Sequence, residues 1–546
     1  MMGLEKFYGR QSILELLKKR VLDFKAGYRQ NVALTGERYI GKSFILHKFL
    51  SEVSAPDILQ VYIDLEYKDT DYFCRKISGT ILYEFCKIRR LPLHEDLNLL
   101  LESTQSLLPK TTAEIKRMQR YLRSGKNFEA FKAAVGLSQV FSSETGLFCL
   151  FIFDEFHCLE EWAIPEIFQE LGKTIMTQKQ TLYVFASSSP DQAELILSEK
   201  LSLLFGNFEV IQVGAFDLKV CRDYLEQHLP QLTLSEPLKN FLIDFTGGHP
   251  LYLRLLCEKL TELASIHQQK EVFLPLLLRA VEDVVFDPWG VLSRHFDLII
   301  HHLCSGKGNA IHSALLISLS EGKQRVKELA DRMGIKQTGL GARLTRLQEK
   351  GFLAKNGKSF YICDRLLKYW VYYVFRPRRE AIEMDPQHRR KQFAEEFARA
   401  VEEFRINERK DISTRIIDLF HCFDDESFQM DGRRYQLPIF DQINPEDRAL
   451  FSELSSGFDV IRASTTNGEW VVLLNADRVT EHGLTSAVTE VRRRYGKPQR
   501  CVLIALNGLD DTVRVRALQE RMWIWDEREL RALLHIYDQP YIVVNS

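Results

Sequence analysis

The sequence predicts a multidomain α/β protein whose first domain is built on a parallel sheet. Three observations carry this. Over the first 215 residues, short β-rich runs alternate with longer helical stretches, the pattern of strand–helix–strand units. The runs are almost continuously apolar, as strands covered on both faces are. At 546 residues, the chain has room for three or four domains of roughly 150 residues each.

The strands expected are 31–34, 59–65, 147–154, 182–187 and 208–213. Between the second and third, residues 89–143 read as a long polar-to-amphipathic helical insertion. From 218 to about 305 the pattern is helical, broken by Gly247-Gly248-His249-Pro250 and by Pro288. A compact unit of three helices and a hairpin follows Gly308 and ends near Asp364. The basic segment Arg376-Pro377-Arg378-Arg379 then leads to a last region, which returns to strands at 458–463, 469–474 and 501–506.

Composition removes several function classes. Lys and Arg number 73 against 74 Asp and Glu, so the chain is neither a uniformly basic nucleic-acid coat nor an acidic solvating tail. A hydrophobic fraction of 45% with 11% aromatics excludes a largely disordered chain. No apolar run reaches the ~18 residues of a membrane span, and Met-Met-Gly-Leu-Glu-Lys lacks the apolar core of a signal peptide. The ten cysteines are scattered singly, without paired ligand spacing. These features read as a reduced, cytoplasmic protein with no metal centre built from its own cysteines and histidines.

Gly36-Glu37-Arg38-Tyr39-Ile40-Gly41-Lys42-Ser43 fits G-x-x-x-x-G-K-[ST], after an apolar strand and before a helix. The glycines let backbone N–H groups turn toward phosphate, and the helix N-terminus adds partial positive charge. Lys42 is placed for the β- and γ-phosphates and Ser43 for Mg²⁺. The alternative is a chance glycine-rich turn, against which the flanking strand and helix weigh. Leu150-Phe151-Ile152-Phe153-Asp154-Glu155 is a buried strand ending in two carboxylates. Asp154 suits the Mg²⁺ shell and Glu155 the polarisation of water. The next strand runs into Ser187-Ser188-Ser189. If that strand is central, Ser187 lies between the two motifs as a γ-phosphate sensor; taken alone, three serines are a loop.

Here a resemblance becomes specific. Phe7-Tyr8-Gly9-Arg10, the phosphate loop, Asp154-Glu155-Phe156-His157 and Gly247-Gly248-His249-Pro250-Leu251-Tyr252-Leu253 resemble, in order, four motifs of the archaeal ATPase family. Its members are prokaryotic STAND/AAA+-type P-loop ATPases, and the match spans residues 5–375. The resemblance implies an additional-strand P-loop NTPase core with a helical lid and a winged helix-turn-helix behind it. It also implies ATP and Mg²⁺ as cofactors, with Tyr8, Gly9, Arg10, Gly36, Gly41, Lys42, Ser43, Asp154 and Pro250 around the nucleotide, Pro250 near the adenine. Glu155, Lys42 and Ser187 would act in hydrolysis. One departure matters: Leu203-Leu204-Phe205-Gly206-Asn207 carries asparagine where the family places an arginine acting toward the nucleotide. Such an arginine is worth roughly 10³–10⁵ in rate, so slow hydrolysis is expected.

In the compact unit, 326–333 reads as a second helix, Gly334 as a turn, 338–350 as a third helix and 352–362 as a hairpin with Asn356-Gly357 at its tip. Residues 322–358 carry ten Lys and Arg against three acids. Arg343 and Arg346 lie one turn apart on the third helix, where helix-turn-helix proteins contact the groove. Lys355 and Lys358 flank the tip and suit phosphates. Winged helices also serve as protein-docking domains, so the charge alone leaves both uses open.

The last region resembles the α/β core of restriction-endonuclease-like domains. That chemistry needs an Asp on one strand and an acid-x-Lys on the next. Asp459 supplies the first acid, but the second strand ends Leu473-Leu474-Asn475-Ala476-Asp477-Arg478. Asp477 lies two residues beyond Asn475 and is followed by Arg478, and Glu490, on the following helix, is a carboxylate that could have migrated. A degenerate, noncleaving domain is expected. Trp523 and Trp525 alternate and read as sheet packing; His301, His302 and His312 lack a third ligand at useful spacing.

The boundaries drawn are 1–215 for the ATPase core, 216–305 for the lid, 306–375 for the winged helix, 376–425 for a helical linker and 426–546 for the degenerate domain. The expected function is an ATP-binding, slowly hydrolysing switch that binds duplex DNA. The alternative is a nucleotide-gated docking scaffold or oligomerising signalling ATPase, with a second copy or another protein as partner and no membrane.

Overall fold

The structure is a computed structural model. It describes residues 7–542, except for 54, 67, 202–207, 305–308, 323, 350, 357–358, 381–384, 426, 431–432, 446–456 and 467. Two compact units divide the chain, Met1–Phe216 and Asp217–Ser546.

The first unit holds a five-stranded sheet of β1 (Asn31–Thr35), β2 (Ile58–Asp64), β3 (Phe148–Asp154), β4 (Thr181–Ser187) and β5 (Phe208–Gln212). All neighbours are parallel, in the order β2-β3-β4-β1-β5. Strand β4 is therefore inserted between β1 and β3, the additional-strand arrangement of a P-loop NTPase core. Strand residues alternate between two cores because successive side chains point to opposite faces. Val32, Leu34, Ile152 and Val184 pack with α1 (Gln11–Lys25) and α2 (Lys42–Glu52). Ala33, Phe151, Phe153 and Phe185 face α3 (Thr70–Arg89). Burial on both faces is why these runs lack the polar alternation of a half-exposed strand.

The insertion between β2 and β3 continues as α4 (Leu97–Thr104), α5 (Pro109–Arg123) and α6 (Asn127–Thr145). Its apolar residues Leu100, Leu101, Ile115, Met118, Phe131 and Phe141 belong to the same core as Val61 and Phe153. The segment thus completes one face of the sheet. Glu144 of α6 accepts hydrogen bonds from the backbone N–H of Lys110 and Thr111 (2.8 and 2.9 Å) and from the Thr111 hydroxyl (2.7 Å). It supplies the N-terminal cap that Leu108 cannot.

The second unit begins with helices Leu218–His228, Glu236–Thr246, Pro250–Ile266, Leu274–Phe286 and Val291–Cys304. Helices Asn309–Ser320, Val326–Met333 and Gln337–Glu349 follow, with a three-stranded sheet in which Ser359–Ile362 pairs antiparallel with Gln324–Arg325 and with Leu353–Asn356. Helix Arg365–Trp370 ends in one π-turn, Val371–Phe375, before the long helix Pro386–Glu408. The last sheet runs Gln442–Pro445, Asp459–Thr465, Gly468–Asn475, Arg500–Ala505 and Trp523–Asp526, its first two pairings antiparallel and its last two parallel. Helices Glu481–Tyr495 and Asp511–Gln519 make the crossovers. Trp525 is fully buried, and Trp523 meets Trp470 edge to face at 5.2 Å, so both tryptophans pack the sheet. Among the described residues, no helix is long and apolar enough to cross a membrane.

Candidate nucleotide site

The phosphate loop leaves the C-terminal end of β1 and delivers Lys42 as the first residue of α2. Gly41 caps that helix at φ +103°, a conformation that costs glycine little. Gly36 is needed for a different reason. Its N–H donates to the Ser187 carbonyl at 3.3 Å, and a Cβ there would overlap the carbonyl of Val213. The loop is thus wedged between the end of β4 and the chain leaving β5.

Lys42 is only 4% exposed. Its ammonium donates to the carbonyls of Gly36 at 2.9 Å and Glu37 at 2.8 Å. Burial pulls its pKa below the usual lysine range, against the opposing pull of Glu155 and Asp154. Ser43 Oγ donates to Asp154 Oδ2 at 2.7 Å, across from the end of β3. The same oxygen accepts from the Tyr62 hydroxyl, also at 2.7 Å. Burial and the Asp154 charge push the Tyr62 phenol well above its ordinary value, so it stays a donor. Asp154 Oδ1 takes the Glu155 N–H at 3.0 Å.

Glu155 stands at φ +54°, a left-handed conformation costing a non-glycine residue about 1–3 kcal/mol. That turn aims its carboxylate at the Ser188 N–H, which donates to Oε2 at 2.8 Å. His157 Nδ1 lies 3.4 Å from the same oxygen and 2.9 Å from Ser187 Oγ. Burial raises the Glu155 pKa, with Lys42 pulling the other way. Ser187 is fully buried at the end of the central strand, where its Oγ also bonds the backbone of Ser189. Tyr8, Gly9 and Arg10 come alongside: Phe7 stacks on Phe44 in the first turn of α2 at 5.9 Å. Arg10 donates to the Gly214 carbonyl, its guanidinium 5.0 Å above the Phe216 ring.

The structure thus assembles Gly36, Gly41, Lys42, Ser43, Asp154, Glu155 and Ser187 at the C-terminal ends of adjacent strands, where α/β sheets bind ligands. Pro250 belongs to the second unit, as the first residue of helix Pro250–Ile266 after Gly247 and Gly248 at φ +60° and +71°. Asn207 lies outside the described residues, as does Lys358. Arg346 is exposed on helix Gln337–Glu349; Arg343, one turn earlier, lies 3.4 Å from His312 Nε2. Lys355 is half-buried on the hairpin. Of the acids in the last sheet, Asp459 accepts from Ser413 at 3.1 Å, and Glu490 is clasped by Arg493 at 2.7 Å and by Arg494. Asn475 Oδ1 is occupied by the Asp477 N–H at 2.7 Å.

Tyr62 and the bridging position of His157 were not legible as functional. Tyr62 reaches Asp154 only because β2 and β3 pair in the register Tyr62↔Ile152, which no local motif announces. Among the described residues, no group of three or more His, Cys, Asp or Glu converges as a metal site. The Ser43 hydroxyl and Asp154 carboxylate are hard oxygen donors. They fit Mg²⁺, which takes few ligands from protein and keeps waters and phosphate oxygens.

No known protein-family profile matches the sequence, and no curated protein matches it. Among solved structures, the chain is similar to the Walker-type ATPase PABY2304 of Pyrococcus abyssi, with 15% identity and a TM-score of 0.46 over 67% of this chain and 96% of that one. It is also similar to the ORC2 protein of Aeropyrum pernix in its ADPNP–ADP complexes, at 14% identity and a TM-score of 0.43, covering 67% and 96%. Cdc6p of Pyrobaculum aerophilum aligns at 13% identity and a TM-score of 0.32, covering 68% and 96%.

Proposed function

We propose that this chain is an ATP-binding and slowly hydrolysing regulatory switch that engages DNA through a winged helix, residues 306–375. One observation carries the nucleotide half: Ser43 bonded to Asp154 at 2.7 Å, with the buried Lys42 ammonium held in the same phosphate loop. Lys42 holds two carbonyls of its own loop. Phosphate oxygens would replace those carbonyls as partners of the ammonium. Ser43 and Asp154 would hold Mg²⁺, which when bound neutralises developing charge on the phosphates. Glu155, held by Ser188 and His157, would accept the proton of the attacking water. Ser187 would report the γ-phosphate through the same histidine. Tyr8, Gly9 and Arg10 would border the nucleotide, and Pro250 would approach the adenine, as the resemblance to the archaeal ATPases implies. Asparagine at 207 in place of that family's arginine supports slow turnover.

The DNA half rests on the basic stretch 322–358, with Arg343, Arg346, Lys355 and Lys358 as contacts. A second reading, a docking scaffold for another protein or a second copy, draws support from Arg343, which already has His312 within 3.4 Å.

The test is nucleotide affinity and turnover of two variants. Lys42→Ala should lose roughly 3–6 kcal/mol of binding, a hundredfold or more in affinity. Glu155→Gln should bind ATP and fail to hydrolyse it. A folded Lys42→Ala protein with undiminished ATP affinity would overturn the site.

A further inference from the structure

We propose that the second unit holds a separate anion-binding pocket for a small phosphorylated ligand. It lies where helix Leu274–Phe286, the π-turn Val371–Phe375 and the first turn of helix Pro386–Glu408 meet. The cavity measures about 290 Å³ and is lined by Arg378, Arg389 and Arg390 against the aromatic walls of Phe286 and Tyr373.

The three guanidiniums are not equally satisfied. Arg390 pairs with Glu282 at 2.8 Å and lies 5.4 Å above the Phe286 ring. Arg378 reaches Asp297 only at 3.6 Å and rests over Trp370. Among the described residues Arg389 has no ion pair; its Nη1 donates to the Tyr373 carbonyl at 3.3 Å, and its buried Nε has no hydrogen-bond partner there. The Tyr373 hydroxyl donates to Glu396 at 2.6 Å. A buried donor without an acceptor costs free energy unless a ligand supplies one.

The local backbone supports the same reading. The Tyr373 carbonyl that Arg389 reaches lies within the π-turn, and single π-turns in helices often mark functional sites. The field of the 23-residue helix Pro386–Glu408 favours an anion at its N-terminal end, although Asp385 caps the first N–H there. Forked guanidiniums match phosphate oxygens in pairs, which a single carboxylate could not satisfy on three arginines. The volume falls just under the ~300–1,000 Å³ range of ligand pockets. It suits a sugar phosphate or mononucleotide.

The test titrates inorganic pyrophosphate into the full chain by calorimetry, in a Lys42→Ala background that silences the phosphate loop. One saturable site is expected. Arg389→Gln should weaken it about tenfold or more, and Arg378→Gln, at a more exposed position, should weaken it in the same direction without endangering the fold. No heat at millimolar pyrophosphate, or an affinity indifferent to both substitutions, overturns the proposal. So does displacement of pyrophosphate by a short DNA duplex whose own affinity falls equally in Arg389→Gln, since the pocket would then be a backbone-phosphate contact.

Discussion

Burial opposes both charges of the phosphate site. It pulls Lys42 below the usual lysine range and raises Glu155 above the usual carboxylate range. The signs set a pH profile. As pH falls through the raised Glu155 value, the base takes up a proton and the rate drops. As pH rises through the lowered Lys42 value, the ammonium loses its charge and the rate drops again. The kcat/KM profile for ATP hydrolysis, which reports the free protein, should therefore be narrower than the span between about 4.3 and 10.4 set by ordinary Glu and Lys. An acid limb at the ordinary glutamate value, in a protein that hydrolyses ATP, would show that Glu155 is not the base. Tyr62→Phe removes one of two donors on Asp154 Oδ2, worth roughly 0.5–1.5 kcal/mol. The Mg²⁺ concentration needed for half-maximal nucleotide binding should rise roughly two- to tenfold, with Mg²⁺-free nucleotide affinity unchanged. An unchanged Mg²⁺ requirement would make Tyr62 mere packing. Lys42, Ser43, Asp154 and Glu155 could be read from the chain because each sits in a contiguous pattern whose spacing is its chemistry. Tyr62 could not, since its role comes from strand register.

At the scale of elements, the helices α4–α6 answer to the amphipathic pattern read at 89–143. What the pattern did not say is where the apolar face goes: it fills the core beneath the sheet. Phe131 is fully buried, stacked on Phe73 at 5.3 Å and edge to face with Trp162 at 6.2 Å. Phe131→Ala should cost about 3–5 kcal/mol of unfolding free energy, measured by denaturant titration. A loss below ~1 kcal/mol would mean that the insertion is only loosely packed on the sheet. In the last sheet, the strand pattern was legible in the sequence. Asp459 pairs in register with Leu474, just before Asn475, and the nearby Glu490 is committed to Arg493 and Arg494. One carboxylate does not make a Mg²⁺-dependent nuclease. Purified protein with Mg²⁺ or Mn²⁺ should leave supercoiled and linear DNA uncut. Cleavage that disappears in Asp459→Ala would reverse this.

The whole molecule is neutral, with a formal charge of −1, and that makes the proposed DNA interaction a sharp test. The sequence divides the chain at composition changes. The second unit, however, is tied together by contacts between segments far apart in sequence: Asp244 pairs with Arg365 and accepts from the Tyr541 N–H, and Tyr361 donates to the Ile536 carbonyl at 2.8 Å. Such pairings leave no local trace in the sequence. Charge, unlike tertiary contact, is fully visible in the sequence. A neutral molecule has no net field to draw it to a polyanion, so any affinity must come from a local surplus such as residues 322–358, with ten basic and three acidic residues. Binding of duplex DNA should then weaken as salt rises, with log K against log salt falling by about 0.9 per phosphate neutralised. Reversing Arg343 and Arg346 to Glu removes two such contacts and should flatten the slope by about two units, while ATP affinity stays at the wild-type value. Reversing Lys355 and Lys358 should weaken binding equally for all sequences, because phosphate contacts position without specifying. A wild-type protein that ignores duplex DNA even at low salt would remove DNA from the proposed function and leave the same basic face to an acidic protein partner.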